Sequence, residues 1–218
     1  ETQSVDFILT DPPFNVGLKY ADVNDDLPNE VYGEWCWKWL TEFHRVLKLG
    51  HYGVVFSGDT KLFYVLKALY CSGLRFHHFL KWYKPGAQAI LSGSVLFGRT
   101  ELALLFSNGA PDISLINRKS LYQDTLVYRA CSSKDADAVD HNARRPVALY
   151  RQIINGFTKP NDVVLDCFLG SGTSFKACVN RNCIGIEISP KVCELVKKTC
   201  FGRQILGGEY KYSFEVLE

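Results

Sequence analysis

Val163-Val164-Leu165-Asp166 runs without a break into Cys167-Phe168-Leu169-Gly170-Ser171-Gly172-Thr173. A short aliphatic run of this kind suits a strand buried on both faces. The glycines supply the turn, and the stretch from Ser174 to about Asn180 reads as a helix. A strand covered on both faces that feeds directly into a helix belongs to a parallel sheet, because crossover helices are what cover both faces.

The rest of the chain repeats this rhythm. Val5-Asp6-Phe7-Ile8-Leu9-Thr10, Gly53-Val54-Val55-Phe56-Ser57, Phe76 to Trp82, Glu101 to Phe106 and Cys183 to Glu187 read as further strands. Helical spacing joins Val31, Trp35, Trp39, Leu40, Phe43, Val46 and Leu47, with Leu49-Gly50 as the expected C-cap. Lys61 to Tyr70, Pro146 to Phe157 and Pro190 to about Cys200 read as helices, and Tyr210 to Val216 alternates as an edge strand does. This order predicts an α/β fold with one open, Rossmann-like, mostly parallel sheet. Residues 1–218 read as a single domain. Residues 107–141 carry no sustained periodicity and read as an insertion.

The bulk properties exclude little. With 47% hydrophobic and 22% charged residues the composition is that of a globular protein. No apolar run approaches the roughly 20 residues of a membrane-spanning helix, and Glu1-Thr2-Gln3-Ser4 is unlike a signal peptide. An intracellular address, cytoplasmic or nuclear, with no membrane partner is the expectation. Methionine is absent even at position 1, so residue 1 is not read as the native start. The net charge of +2 neither demands nor excludes nucleic acid. The eight cysteines contain no C-x-x-C pair, and His44, His51, His77 and His78 lack metal spacing. Reduced structural thiols and no metal are expected.

The glycine turn fails two familiar patterns. A P-loop needs lysine after its last glycine, and Gly172 is followed by Thr173-Ser174. The dinucleotide fingerprint needs a third glycine where Phe175 stands. What remains suits S-adenosylmethionine. Gly170 and Gly172 admit a close ligand, the Asp166 carboxylate meets a cationic amino-acid end, and Glu187 accepts from ribose hydroxyls.

Asp11-Pro12-Pro13-Phe14 ends the first strand abruptly, since proline cannot donate to a sheet ladder. In an open α/β sheet ligands bind beyond the carboxyl ends of the strands, so this tetrapeptide and the glycine turn are expected at one sheet edge. The exocyclic amine of adenine or cytosine is a poor nucleophile, its lone pair being delocalised into the ring. Two acceptors aimed at its N–H bonds favour a pyramidal nitrogen and return the lone pair. The Asp11 carboxylate and the Pro12 carbonyl supply them, while Phe14 stacks on the base, a contact worth about 1–3 kcal/mol. A base in duplex must first be extruded to reach such a pocket.

With these motifs the chain resembles the beta-class amino-methyltransferases of DNA, in which the catalytic motif precedes the cofactor motif. The likeness runs through Val5 to Asn15, Trp39 to Lys48, Lys81-Trp82-Tyr83-Lys84-Pro85, His141 with Arg145-Pro146, and Val164 to Thr173. It implies a circularly permuted, seven-stranded sheet with one reversed strand and target recognition within residues 107–141. It also implies S-adenosyl-L-methionine as cofactor, held by Asp11, Asp166, Phe168, Gly170, Ser171, Gly172, Thr173 and Glu187, with His141, Arg145 and Pro146. Members with Asp in the tetrapeptide are usually N6-adenine enzymes and those with Ser usually N4-cytosine enzymes, so Asp11 points to adenine. The sequence departs from the family at Cys167 (usually proline), Phe14 (usually tyrosine) and Asn142-Ala143-Arg144-Arg145 (usually Pro-Thr-Gln-Lys).

Arg118, Lys119, Arg129, Lys134 and Arg144 are candidate phosphate contacts for double-stranded DNA. Trp35 and Trp39 read as core by their helical spacing. Cytosine N4 or RNA adenine methylation, and a non-catalytic DNA-binding subunit, stay open at this point, as do a homodimer and a second subunit.

Overall fold

The computed structural model describes residues 1–18, 24–86, 98–131 and 144–201, residue 201 by its backbone alone. Lys134, His141 and the strand expected at 210–216 lie outside the described residues. Seven strands among the described residues form one sheet: β1 (Val5–Thr10), β2 (Leu47–Ser57), β3 (Arg75–Tyr83), β4 (Thr100–Ser107), β5 (Thr125–Val127), β6 (Val163–Asp166) and β7 (Asn182–Gly185). Their order is β5-β3-β4-β2-β1-β6-β7. β4 runs antiparallel to both its neighbours, and the other pairings are parallel. The α/β, mostly parallel sheet with one reversed strand is therefore the observed fold.

The two-residue period of the strands divides the core into two layers. Phe7 and Leu9 of β1, Tyr52, Val54 and Phe56 of β2, and Val164 of β6 face one layer. Ile8, Val55, Leu104 and Leu165 face the other. Helix α3 (Val147–Phe157) covers the first layer with Leu149, Tyr150, Ile153, Ile154 and Phe157, one stripe at helical spacing. Helices α1 (Asn29–Val46) and α2 (Leu62–Cys71) cover the second, through Cys36, Leu40 and Phe43 and through Val65, Ala68 and Leu69. Two shorter helices, α4 (Thr173–Ala177) and α5 (Pro190–Val196), follow the glycine turn and β7. No described helix is long and apolar enough to cross a membrane.

Two local expectations are corrected. Helix α1 stops at Val46 rather than at Leu49-Gly50, and Leu47 already pairs with Val5 in the sheet. The Asn108 side chain donates to the carbonyls of His44 (3.0 Å) and Leu47 (2.6 Å), so a residue over 60 positions away closes the helix end. Gly50, at φ +78°, is a kink inside β2 whose N–H donates to the Asn108 carbonyl. Residues 125–127, within the stretch without periodicity, form β5 against Lys81–Tyr83, with Leu126 buried.

The β2 glycine Gly53 lies under the Phe106 ring; an added Cβ would press on Cζ and sit 2.6 Å from Cε2. Phe106 is fully buried and stacked on Phe43, so the ring has no room to retreat. Gly53→Ala is expected to lower stability by about 1–3 kcal/mol, read as a lower urea midpoint with an unchanged slope.

Candidate active site

Strands β1 and β6 are parallel neighbours, with Ile8 opposite Leu165, so Asp11 and the glycine turn leave the sheet side by side. The Thr10 hydroxyl ties them together by donating to Asp166 Oδ1 at 2.7 Å. The expected juxtaposition at one sheet edge is present. Because β4 is reversed, it starts at this same edge and delivers Glu101 there, opposite Trp82 near the end of β3.

The Asp11-Pro12-Pro13-Phe14 turn is held from three sides. The Tyr32 hydroxyl donates to the Pro13 carbonyl (3.0 Å). Gly58, just past β2, lets Phe14 lie close; an added Cβ would be 3.1 Å from Phe14 Cβ. The buried Asp25 carboxylate accepts from the amides of Asn15, Val16 and Leu18 at 2.7, 3.1 and 3.0 Å. Asn15, at φ +57°, exchanges two hydrogen bonds with the Leu27 backbone. The strand thus ends in a turn whose direction is set by tertiary contacts as well as by its prolines.

Asp11 does not stand alone. Its Oδ1 accepts from Arg145 Nη2 at 2.9 Å, across 134 residues of sequence. The same nitrogen lies 2.8 Å from Glu101 Oε2, and Lys84 Nζ donates to Glu101 Oε1 at 2.7 Å. The Arg145 guanidinium sits 5.7, 5.2 and 5.4 Å from the ring centres of Phe14, Phe56 and Trp82. Burial pushes the Asp11 carboxyl up to about 7; Arg145 opposes the rise, and Glu101 and Asp166 add to it.

In the glycine turn, Asp166 is buried and accepts from Thr10 and, at 3.2 Å, from the Phe168 amide. Burial pushes its carboxyl up to about 6 against those two hydrogen bonds. Glu187 accepts from the amides of Gly170 and Ser189, both at 2.9 Å. One bond to each oxygen leaves lone pairs on both for further donors. Gly172 (φ +75°) is demanded by the protein itself, since a Cβ would lie 2.9 Å from Cys200 Sγ and 3.2 Å from Val196 Cγ1. Thr173, which opens α4, contacts the Arg145 carbonyl through its hydroxyl (3.4 Å), and Ser171 lies 3.3 Å from that hydroxyl. The Phe168 ring packs on Trp35 and Trp39, which are half-buried against the second core layer.

The fold gathers Asp11, Pro12, Phe14, Arg145, Pro146, Asp166, Phe168, Gly170, Ser171, Gly172, Thr173 and Glu187 along this edge. Arg129 follows β5 there too, exposed, and Arg144 adjoins Arg145. Arg118 and Lys119 are exposed at the other end of α3, where the neighbouring Asn117 amide donates to the Gly156 carbonyl. Sequence reading passed over Thr10, Tyr32, Phe56 and Glu101. Of these only Glu101 carried a signal, as an acidic residue opening an otherwise apolar strand.

A fold with two acidic loops at one sheet edge matches known proteins. The family model for N6/N4 methylases, described as DNA methylase, matches residues 5–198. The type II methyltransferase M.HpaI of Haemophilus parainfluenzae is 29% identical, over 91% of this chain and 68% of its own length. The DNA adenine methyltransferase YhdJ of Escherichia coli is 25% identical over 88% and 75%. Among solved structures, the M1.HpyAVI–SAM complex superposes with a TM-score of 0.71 at 25% identity, covering 90% of this chain and 89% of that one. The cytosine-N4-specific PvuII DNA methyltransferase shares the fold, with a TM-score of 0.76 at 19% identity over 94% and 82%. Matched along nearly its whole described length, with both motifs at one sheet edge in the order seen in its sequence, the chain belongs to the N6/N4 DNA methylase family.

Proposed function

We propose that this chain methylates the exocyclic N6 amine of adenine in DNA, with Asp11, Pro12 and Phe14 as its catalytic residues. The carrying observation is the Thr10–Asp166 hydrogen bond, which places the Asp11 turn against the glycine turn. The cofactor is S-adenosyl-L-methionine; bound here it would supply a methyl group from its sulfonium sulfur, the C–S bonding electrons staying with the sulfur as the neutral thioether product leaves. The residues present fit it: a buried carboxylate at Asp166 for a cationic amino-acid end, and spare lone pairs on Glu187 for ribose hydroxyls. Phe168, Gly170, Ser171 and Thr173 line the turn between these two carboxylates.

Asp11 and the Pro12 carbonyl accept from the two amine N–H bonds and hold the nitrogen pyramidal. Phe14, backed by Gly58, stacks on the extruded base. Once the amine nitrogen has taken the methyl group it carries one proton too many, and the Asp11 carboxylate is placed to receive it. Preorganised acceptors and placement supply most of the acceleration in this scheme. Support for adenine comes from the Asp of the tetrapeptide and from the likeness to YhdJ. Arg129 and Arg144, both beside the site, are the described basic residues best placed to meet duplex phosphates.

Incubation with labelled cofactor and duplex DNA, followed by nucleoside mass spectrometry, is expected to yield N6-methyladenine. N4-methylcytosine in its place would overturn the choice of base. No methylated base in any nucleic acid, with cofactor binding intact, would overturn the enzyme reading.

A further inference from the structure

Four side chains of alternating charge run across the site: Lys84 at the end of β3, Glu101 at the start of β4, Arg145 before α3, and Asp11 after β1. Successive contacts are 2.7, 2.8 and 2.9 Å. They are well enclosed, with 14, 22, 9 and 18% of their side-chain surfaces exposed. Enclosing a guanidinium costs several kcal/mol unless its partners are well placed, and a hydrophobic replacement is often no less stable. Stability therefore gives no reason for a guanidinium at this point, and its contact with Asp11 does.

We propose that Arg145 keeps the Asp11 carboxylate ionised and turned toward the target amine, and that Glu101 and Lys84 are positioning residues that hold Arg145 in place. This rests on the reading of Asp11 as the amine acceptor. Arg145 occupies Oδ1 and leaves Oδ2 to the substrate. The rings of Phe14, Phe56 and Trp82 surround the guanidinium. Glu101 holds the same Arg145 nitrogen, Nη2, that meets Asp11, and Lys84 offsets the charge of Glu101. The groups facing Asp11 are then Arg145 from the segment before α3, Glu101 from β4, Asp166 from β6, Tyr32 from α1 and Tyr150 from α3. Both phenols are pushed by burial above their ordinary range and stay neutral.

The arrangement gives Glu101 and Arg145 opposite signs. Asp11 accepts from the amine only when ionised, so kcat/KM rises with pH through the free enzyme's Asp11 midpoint, near 7. Arg145→Gln removes the attracting charge and is expected to move that midpoint up by about 1–3 pH units. Glu101→Gln keeps the shape, removes a repelling charge and is expected to move it down by about one pH unit. Arg145→Lys restores the charge without the fork, so its midpoint returns toward that of the unaltered protein while kcat stays low.

The same midpoints are readable without turnover, by carbon-13 carboxyl NMR of Asp11 in the cofactor-free protein. Melting curves identify any variant that fails to fold, and Glu101→Gln and Lys84→Gln then carry the test. An upward shift in Arg145→Gln and in Lys84→Gln, which leaves the charge of Glu101 less offset, with a downward shift in Glu101→Gln, supports the ladder. An Asp11 midpoint that neither Arg145→Gln nor Glu101→Gln moves, or that both move in the same direction, overturns it. Shifts seen by NMR with no methyl transfer to any nucleic acid support the ladder's hold on Asp11 and overturn the base-methylation reading instead.

Discussion

Asp11→Ala is expected to lower single-turnover methyl transfer by at least about 10²–10³-fold, the loss typical of removing one preorganised group at a reacting centre. Cofactor affinity, measured by calorimetry, is expected to stay within about fivefold. The separation follows from where the bonds go. Asp11 is engaged by Arg145, whereas the glycine turn is held by Thr10, Glu187 and its own backbone. The fold survives because Arg145 keeps Glu101 at 2.8 Å. Asp11→Asn is the stricter variant: it preserves volume but turns one acceptor into a donor pointed at the amine. A loss of less than tenfold in either variant would remove Asp11 from the chemistry.

Asp166→Asn is expected to weaken S-adenosyl-L-methionine binding by about 10- to 100-fold, the worth of a hydrogen bond to a charged group. Asp166→Ala would do more, since the Thr10 hydroxyl would lose its carboxylate acceptor inside the protein and the Phe168 amide one of its two acceptors. Burial places the Asp166 carboxyl at about 6, and only its ionised form attracts an ammonium group. Affinity is therefore expected to rise with pH through that region in the unaltered protein and to be flatter in Asp166→Asn. Equal affinity in the two proteins at pH 7.5 would show that the amino-acid end of the cofactor lies elsewhere.

Helix α1 shows why element ends were harder to read than elements. Leu49-Gly50 has the local form of a helix stop, yet the chain turns extended at Leu47. The gain is sheet pairing for Leu47 and an outside cap from Asn108, and neither leaves a trace in residues 45–50. β5 was hidden for a related reason. Three residues are too few to display a period, and their place in the sheet depends on β3 offering an open edge.

Residues whose conformation depends on near neighbours in the chain were legible. Asp166 with Gly170 and Gly172, and Asp11 with its two prolines, owe their form to short-range sterics and to a strand that must end where they stand. Parallel strands share one direction, so their carboxyl ends share one edge, and that put both turns on it; the pairing of β1 with β6 then set them side by side. The tertiary structure alone decided what surrounds Asp11. Reversal of β4 brings the start of a strand, Glu101, to the edge where the others finish, and α3 brings in Arg145 from 134 residues away. Charges paired over such distances are chosen by strand order and packing, which no local pattern of residues encodes.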